Sequence, residues 1–290
     1  MKERDARLRE HDDEVGRLAV VRASQRLRSV SDTPMLDAEL LLADALGIER
    51  DQLLLKPPPD VPREFGQMVA RRAAGEPIAY IVGKRAFWTI TLEVTPDVLI
   101  PRPDSETLLD AAVAHFRGRE GPRRILDLGT GSGALLLAAL DQWPAATGVG
   151  IEASPAALAV ASRNADRLGM SDRAELRIGD WAAGTAERFD LILCNPPYVS
   201  TAAKLGPGVA EHEPHAALFA GDDGLDALRI LAGQFPRLLQ PGGLAAVEIG
   251  FEQADSAAAL LSRDGLTARL ARDLAGRPRA MLLTHRATTL

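Results

Sequence analysis

The stretch Asp127-Leu128-Gly129-Thr130-Gly131-Ser132-Gly133 is the most informative part of the sequence, because it joins a short apolar run to an Ala- and Leu-rich helical pattern. Its glycines let the backbone turn sharply and approach a ligand closely. In open α/β sheets such a turn follows the carboxyl end of a strand, which is where these sheets bind ligands. The stretch therefore predicts a nucleotide-type binding loop.

From Arg123 onward, short apolar runs alternate with helical patterns. Such alternation predicts a parallel sheet with helices on both faces. Two last apolar runs suit an antiparallel hairpin that completes a mostly parallel sheet of seven strands. The predicted strands cover residues 125–128, 147–151, 174–178, 189–194, 244–249, 266–270 and 280–284.

The first 85 residues show a helical texture instead. One predicted helix begins after Thr33 as its N-cap, has Pro34 in its first turn, and ends at Gly47. Residues 86–104, rich in β-branched residues and Trp, predict a β-hairpin linker. We therefore predict a helical domain at 1–85, this linker at 86–104 and a catalytic domain at 105–290. On the predicted helix that ends at Gly47, we expect a stripe facing the core that consists of Leu36, Leu40, Ala43 and Leu46.

Composition narrows the classes of function. The 290 residues are 46% hydrophobic and 26% charged, as in soluble globular proteins, and no run is long and apolar enough for a membrane span. The charged N-terminus predicts no secretory signal, and the single cysteine, Cys194, favours a reducing compartment, so we expect a cytoplasmic protein. A net charge of −6 does not favour nucleic-acid binding, and the scattered histidines predict no metal site.

The glycine loop alone leaves the cofactor open. Glu152 ends the next predicted strand, where it can accept hydrogen bonds from ribose hydroxyls. S-adenosylmethionine, a nicotinamide or flavin dinucleotide, and a simple glycine turn all fit this pattern. Asp180 and Trp181, just after the third strand, offer a carboxylate to an adenine amino group and an indole face to its ring.

The tetrapeptide Asn195-Pro196-Pro197-Tyr198 directly follows the fourth strand. The two prolines fix the backbone and remove two N–H donors. The Asn195 side-chain oxygen and the Pro196 carbonyl can then accept from a planar NH₂ group, while Tyr198 offers an aromatic face. A sulfonium methyl donor needs little beyond positioning and charge complementarity, so no metal is required. The tetrapeptide predicts methyl transfer to an amide or amine nitrogen.

Taken together, these motifs resemble the peptide-chain release factor glutamine methyltransferases (HemK/PrmC family), which belong to the class I, Rossmann-like methyltransferases. The resemblance covers nearly the whole chain in order and spacing. Besides the glycine loop and the tetrapeptide, it rests on residues 75–80 (GEPIAY), 87–88 (FW), 99–106 (LIPRPDSE), 179–181 (GDW) and 213–214 (EP) through 224–225 (GL).

The resemblance implies S-adenosyl-L-methionine as the cofactor, leaving S-adenosyl-L-homocysteine. Its binding residues would be Asp127, Gly129, Thr130, Gly131, Ser132, Gly133, Glu152, Asp180, Trp181 and Asn195. The glycine loop would wrap the methionine part, Glu152 the ribose, and Asp180 with Trp181 the adenine. Glu152 stands where the family more often has Asp, and Pro278 replaces a usually polar residue before the last strand.

The resemblance also implies the substrate: the glutamine of the Gly-Gly-Gln motif in class I release factors, methylated on N5 so that translation termination is modulated. Asn195, Pro196 and Tyr198 would be catalytic, and Pro197 would join them in binding the substrate. Residues 99–103 would wall the pocket, and the helical domain would hold the release factor. We expect no sequence-specific nucleic-acid binding.

Two other readings stay open. A nucleic-acid amino-group methyltransferase would fit the same flat slot after base flipping, and it predicts a strongly basic cleft. The basic residues around Arg71 and Lys84 are interleaved with Glu64 and Glu76, which weakens that reading. A cofactor-binding protein without catalysis would be expected to have lost part of the tetrapeptide.

Overall fold

The computed structural model describes residues 2–56, 58–206 and 208–286, with side chains described from residue 15 onward. The chain divides into two compact units. One runs up to Gly83 and includes Leu205–His212; the other holds Lys84–Lys204 and the residues from Glu213. No sequence pattern indicates that residues 205–212 belong with the first unit. The assignment of separate roles to 1–85, 86–104 and 105–290 stays a prediction.

The helices and strands have the following bounds. The helices are α1 (Lys2–Leu27), α2 (Pro34–Leu46), α3 (Arg50–Leu55), α4 (Arg63–Ala73), α5 (Ile78–Val82), α6 (Glu106–Phe116), α7 (Ala134–Gln142), α8 (Pro155–Arg167), α9 (Val209–His212), α10 (Asp226–Ala232), α11 (Phe235–Leu238) and α12 (Ala254–Leu261). The strands are β1 (Lys84–Phe87), β2 (Ile90–Glu93), β3 (Arg124–Leu128), β4 (Thr147–Glu152), β5 (Ala174–Ile178), β6 (Phe189–Cys194), β7 (Leu239–Glu248), β8 (Leu266–Arg272) and β9 (Pro278–His285). Within the described ranges, no helix combines the length and apolar character that a membrane crossing requires.

The first unit is a helical bundle with its own core. Helix α2 has the predicted bounds, and Gly47 ends it in the left-handed conformation. The predicted stripe is partly wrong: Ala43 is buried and Leu46 packs on the core as expected, but Leu36 is exposed. The fully buried residues of this helix are Ala38, Leu41 and Leu42. Apolar residues occur on every side of this helix, so periodicity alone cannot choose the buried face.

The second unit contains a seven-stranded sheet in the order β5-β4-β3-β6-β7-β9-β8. The first five strands in this order are parallel, and β9 is antiparallel to both β7 and β8. Separate apolar clusters pack on the two faces of the sheet. The predicted parallel sheet with a finishing hairpin is confirmed.

This strand order brings several loops to one edge. Strand β3 lies between β4 and β6, and Leu128 pairs with Ile151 on one side and with Cys194 on the other. The connections that leave β3 and β6 go to opposite faces of such a sheet, which opens a crevice beyond the carboxyl ends of the strands. The glycine loop and the tetrapeptide therefore face the same crevice.

The hairpin lies earlier than the sequence predicts. Strands β1 and β2 pair through Phe87 and Ile90, and Trp88 in the turn adopts a left-handed φ of 54°. Residues 94–102 form no strand. Asn164 on α8 anchors this region because its amide bonds the Glu93 backbone and the Ser132 carbonyl, at 2.7–2.9 Å.

Candidate active site

A cavity of about 460 Å³ lies at the carboxyl ends of β3, β4, β5 and β6. Most of the residues predicted for the cofactor and substrate line it: Asp127, Gly129, Thr130, Gly131, Ser132, Glu152, Asp180, Trp181, Asn195 and Pro197. Gly133, Pro196 and Tyr198 are not part of its wall. Leu99 and Pro101 are, as expected for the segment 99–103.

The glycine loop is held tightly to the neighbouring strand. The Gly129 and Thr130 amides both donate to the Ile151 carbonyl, at 2.9 and 3.1 Å. Gly129 has a φ of 72°, a backbone conformation that residues with a side chain rarely adopt. Gly133 has a φ of 83° at the start of α7, and a Cβ there would lie 2.9 Å from Leu137. Only glycine suits both positions, which explains the spacing seen in the sequence.

Glu152 closes the loop from the other side. Its carboxylate accepts from the Gly131 amide at 2.9 Å and from the Ser154 amide at 3.0 Å. Each oxygen keeps lone-pair capacity for a further donor, because a carboxylate accepts about four hydrogen bonds. The side chain can therefore shape the loop and still accept from a ligand hydroxyl.

Asp127 places an unpaired acceptor in the cavity wall. Its Oδ2 accepts from the Thr130 hydroxyl at 2.6 Å and from the Leu136 amide at 3.2 Å. Its buried Oδ1 has no hydrogen-bond partner within the described residues. Burial raises the pKa of Asp127 to about 7. A buried acceptor without a partner is costly, so this atom suits a cationic or N–H-bearing ligand.

Asp180 and Trp181 form the far wall. Asp180 is exposed, and Trp181 is half-buried with a left-handed φ of 50°. An aromatic residue in this conformation is strained, which is frequent where a structure shapes a ligand site. The Ala182 amide that follows donates to the Gln234 side chain at 2.9 Å, which fixes this turn.

The tetrapeptide begins where β6 ends. Cys194 is fully buried, and its burial raises the pKa of the thiol. Asn195 lies in the cavity wall, and its Nδ2 donates to the Ser105 hydroxyl at 3.1 Å. The Tyr198 hydroxyl donates to Glu248 at 3.2 Å, and burial raises the pKa of this phenol.

Sequence reasoning missed two members of this cluster. Ser105 directly precedes α6, where a serine commonly caps a helix, but its hydroxyl makes no capping bond and donates to Glu248 at 2.5 Å. Glu248 ends β7 and is fully buried, and this burial raises its pKa to about 7. The sequence signal for Glu248 was its position as the only carboxylate inside the apolar run 244–249.

A further buried carboxylate holds two walls of the cavity together. Glu213 accepts from the Ile100 amide at 3.2 Å and forms an ion pair with Arg102. Pro101 and Pro214 beside these residues both line the cavity. In the described part of the chain, no cluster of three or more His, Cys, Asp or Glu is arranged to hold a metal ion.

Comparison with known proteins decides the family. The family model for the PrmC N-terminal domain matches residues 19–83, and that for the methyltransferase small domain matches residues 105–212. The release factor glutamine methyltransferase of Rhodospirillum rubrum is 46% identical over 281 residues, covering 94% of this chain and 86% of that protein. The chain belongs to the release factor glutamine methyltransferases.

Other members of this family agree. The release factor glutamine methyltransferase of Caulobacter vibrioides is 42% identical over 90% of this chain and 93% of its own length, and that of Bordetella pertussis is 44% identical over 84% and 92%. Among solved structures, a methyltransferase from Pyrococcus furiosus superimposes with a TM-score of 0.53 at 19% identity, covering 77% of this chain and all of that one. This structural likeness shows the methyltransferase fold, and the relatives show that the chain is a methyltransferase.

Proposed function

We propose that this chain transfers the methyl group of S-adenosyl-L-methionine to the side-chain amide nitrogen (N5) of the glutamine in the Gly-Gly-Gln motif of a class I release factor, leaving S-adenosyl-L-homocysteine. Because the chain belongs to this family, one observation is enough to support the proposal. Asn195, the first residue of the tetrapeptide, lies in the wall of the same cavity as the glycine loop. Methylation of this glutamine would modulate translation termination.

The cavity residues fit the proposed cofactor. Asp127 Oδ1, buried and unpaired within the described residues, suits the ammonium group of the methionine part, and the loop from Gly129 to Gly133 would wrap that part. Glu152 would accept from the ribose hydroxyls. Asp180 and Trp181 would bound the adenine through a carboxylate and an aromatic face. When bound, the cofactor supplies an electrophilic methyl group on a sulfonium.

The chain's own residues would then hold the glutamine amide. The Asn195 side-chain oxygen and the Pro196 carbonyl accept from its two N–H hydrogens, and Pro197 and Tyr198 confine its plane. An amide nitrogen is a weak nucleophile because its lone pair is delocalised into the carbonyl. Two fixed acceptors stabilise the positive charge that develops on the nitrogen, and such fixed dipoles give a large share of catalysis.

The three predicted regions would have separate roles, with residues 1–85 recognising the release factor, residues 86–104 linking, and residues 105–290 catalysing. The first unit displays apolar side chains to solvent, including Leu54 and Leu55, which is 86% exposed. These two neighbouring exposed leucines support a protein partner, because interfaces between proteins bury apolar side chains. We also infer a cytoplasmic location, because the single cysteine suits a reducing compartment.

Transfer of radiolabelled methyl groups tests the proposal. We expect label on purified class I release factor, none on the same factor with the Gly-Gly-Gln glutamine changed to Ala, and none on total RNA. Asn195→Ala should abolish turnover while cofactor binding weakens only modestly. Label on RNA but not on the factor would overturn the substrate assignment, and full activity of Asn195→Ala would overturn the role of that residue.

A further inference from the structure

Four side chains from distant parts of the chain form one hydrogen-bonded chain beside the cavity. Glu248, at the end of β7, accepts from the Ser105 hydroxyl at 2.5 Å and from the Tyr198 hydroxyl at 3.2 Å. The Ser105 oxygen lies 3.1 Å from Asn195 Nδ2. Glu248 therefore connects the first and last residues of the tetrapeptide.

Counting hydrogens fixes the direction of each bond. An ionised carboxylate only accepts, whereas a serine hydroxyl has one hydrogen and two lone pairs. Ser105 must therefore give its hydrogen to Glu248 and offer a lone pair to Asn195. Only the Nδ2 end of the Asn195 amide can donate to that lone pair. The Oδ1 end then faces away from Ser105.

We propose that Glu248, acting through Ser105, is a positioning residue that sets which end of the Asn195 amide faces the methyl acceptor. This inference rests on the proposed function, since the orientation matters only if Asn195 accepts from an incoming NH₂ group. With Oδ1 toward the cavity, the amide offers a lone pair to that group. With the amide turned over, two NH₂ groups would face each other without an acceptor between them.

The charge state of Glu248 controls this arrangement. Its surroundings hold Arg279 from β9, Asp104 before α6, the Tyr198 phenol and the Cys194 thiol. Burial raises the pKa of Glu248 to about 7, although the Ser105 hydrogen bond and the charge of Arg279 oppose the rise. A protonated Glu248 can donate to Ser105, whose own hydrogen is then free to point at Asn195. The amide is no longer held in one orientation, so the proposed positioning is lost at low pH.

The chain offers a direct probe of this orientation, because it contains only two asparagines, Asn164 and Asn195. Selective ¹⁵N labelling of asparagine gives one pair of side-chain NH₂ signals for each of these two residues in an NMR spectrum. In an Asp127→Ala background, which removes the carboxylate of the cavity wall that also has a pKa of about 7 and adds no third asparagine, we expect the Asn195 signals to shift with pH around a midpoint of about 7 while those of Asn164 stay constant. In the same background, Glu248→Gln and Ser105→Ala should each abolish the Asn195 shift.

Kinetics provides the second readout. For Ser105→Ala we expect kcat to fall about tenfold or more, with KM for the release factor and cofactor Kd within about twofold of wild type, because only the orientation is lost. Glu248→Gln keeps an acceptor for Ser105, so it should retain more activity than Glu248→Ala. We expect kcat of wild type to decline below pH 7 and kcat of Glu248→Gln to show no such decline.

The NMR and kinetic measurements distinguish failure of the proposed function from failure of the positioning role. The expected pH-dependent Asn195 signal, together with wild type that transfers no methyl to release factor, would sink the proposed function and leave the positioning intact. Methyl transfer by Ser105→Ala within about twofold of wild type, or an Asn195 signal that titrates unchanged when Glu248→Gln is added to the Asp127→Ala background, would overturn the positioning role. Bound cofactor, measured by calorimetry, shows that each variant is folded.

Discussion

Gly224→Ala is expected to impair catalysis through a single added methyl group. Gly224 has a left-handed φ of 72°, and a Cβ there would lie 2.3 Å from the Tyr198 carbonyl oxygen and 2.9 Å from Gln253 Nε2. The same Gln253 amide donates to the Tyr198 carbonyl at 3.0 Å and to the Gly224 carbonyl at 3.1 Å. The substitution therefore enters the contact that fixes the chain directly after the tetrapeptide.

The magnitude has two parts. An alanine in the left-handed region costs roughly 1–2 kcal/mol wherever it occurs. To reach an ordinary contact of 3.4 Å, the methyl group and the Tyr198 carbonyl must also separate by about 1 Å, and overpacking of this kind adds roughly 1–3 kcal/mol. A displacement of about 1 Å in a reacting group lowers the rate about 100-fold.

Gly118→Ala is the matched control, because Gly118 has a φ of 75° with nothing within 4 Å of its would-be Cβ. Both variants should lose stability in thermal unfolding, Gly224→Ala the more. Only Gly224→Ala should lose about 100-fold in kcat/KM for methyl transfer to release factor. Equal activity of the two variants would refute the claim that Gly224 positions the tetrapeptide.

Three further outcomes are expected. Tyr198→Ala should cut the rate severely while Tyr198→Phe keeps the ring and is better tolerated, and steady-state kinetics showing equal loss would assign the effect to the hydroxyl. Asp127 has a pKa raised from 3.8 to about 7, so below pH 7 the ligand-free protein holds a proton there, and this group's contribution to stability falls as pH rises from about 4 to 7. A bound ammonium favours the carboxylate, so cofactor affinity measured by calorimetry should rise up to about tenfold per pH unit below 7 and level above it, and Asp127→Asn should remove this dependence. Asn164→Ala removes the three hydrogen bonds of a buried side chain and should lower the free energy of unfolding by about 3 kcal/mol; a loss below about 1 kcal/mol in urea unfolding would contradict the anchoring role.

The sheet and the glycine loop could be predicted because their signals are local. Each strand of the sheet is a short apolar run flanked by residues that are typical of helix ends. Ser154, for example, caps α8, as its position before Pro155 suggests. The side-chain pattern of α2 failed as a guide, since apolar residues surround that helix. The buried ion pair between Asp37 and Arg72 also lies across the bundle, at 2.8 Å, and no local pattern indicates it.

The Glu248 cluster could not be predicted because its contacts join distant residues. Ser105 and Glu248 are 143 positions apart in sequence, and a serine before a helix normally predicts a cap. Only the fold shows that this hydroxyl faces the end of β7 instead. The buried charge in an apolar strand could have been noticed, but its partners could not have been named.

The burial of Cys194 gives the protein a built-in reporter. It is the only thiol in the chain, it ends the central strand β6, and its side chain is wholly inside the sheet core. An alkylating reagent can react with it only after the strands around it have separated. The speed of alkylation therefore measures how often the catalytic core opens, and any ligand that holds the core closed will slow the reaction without the need for an engineered label.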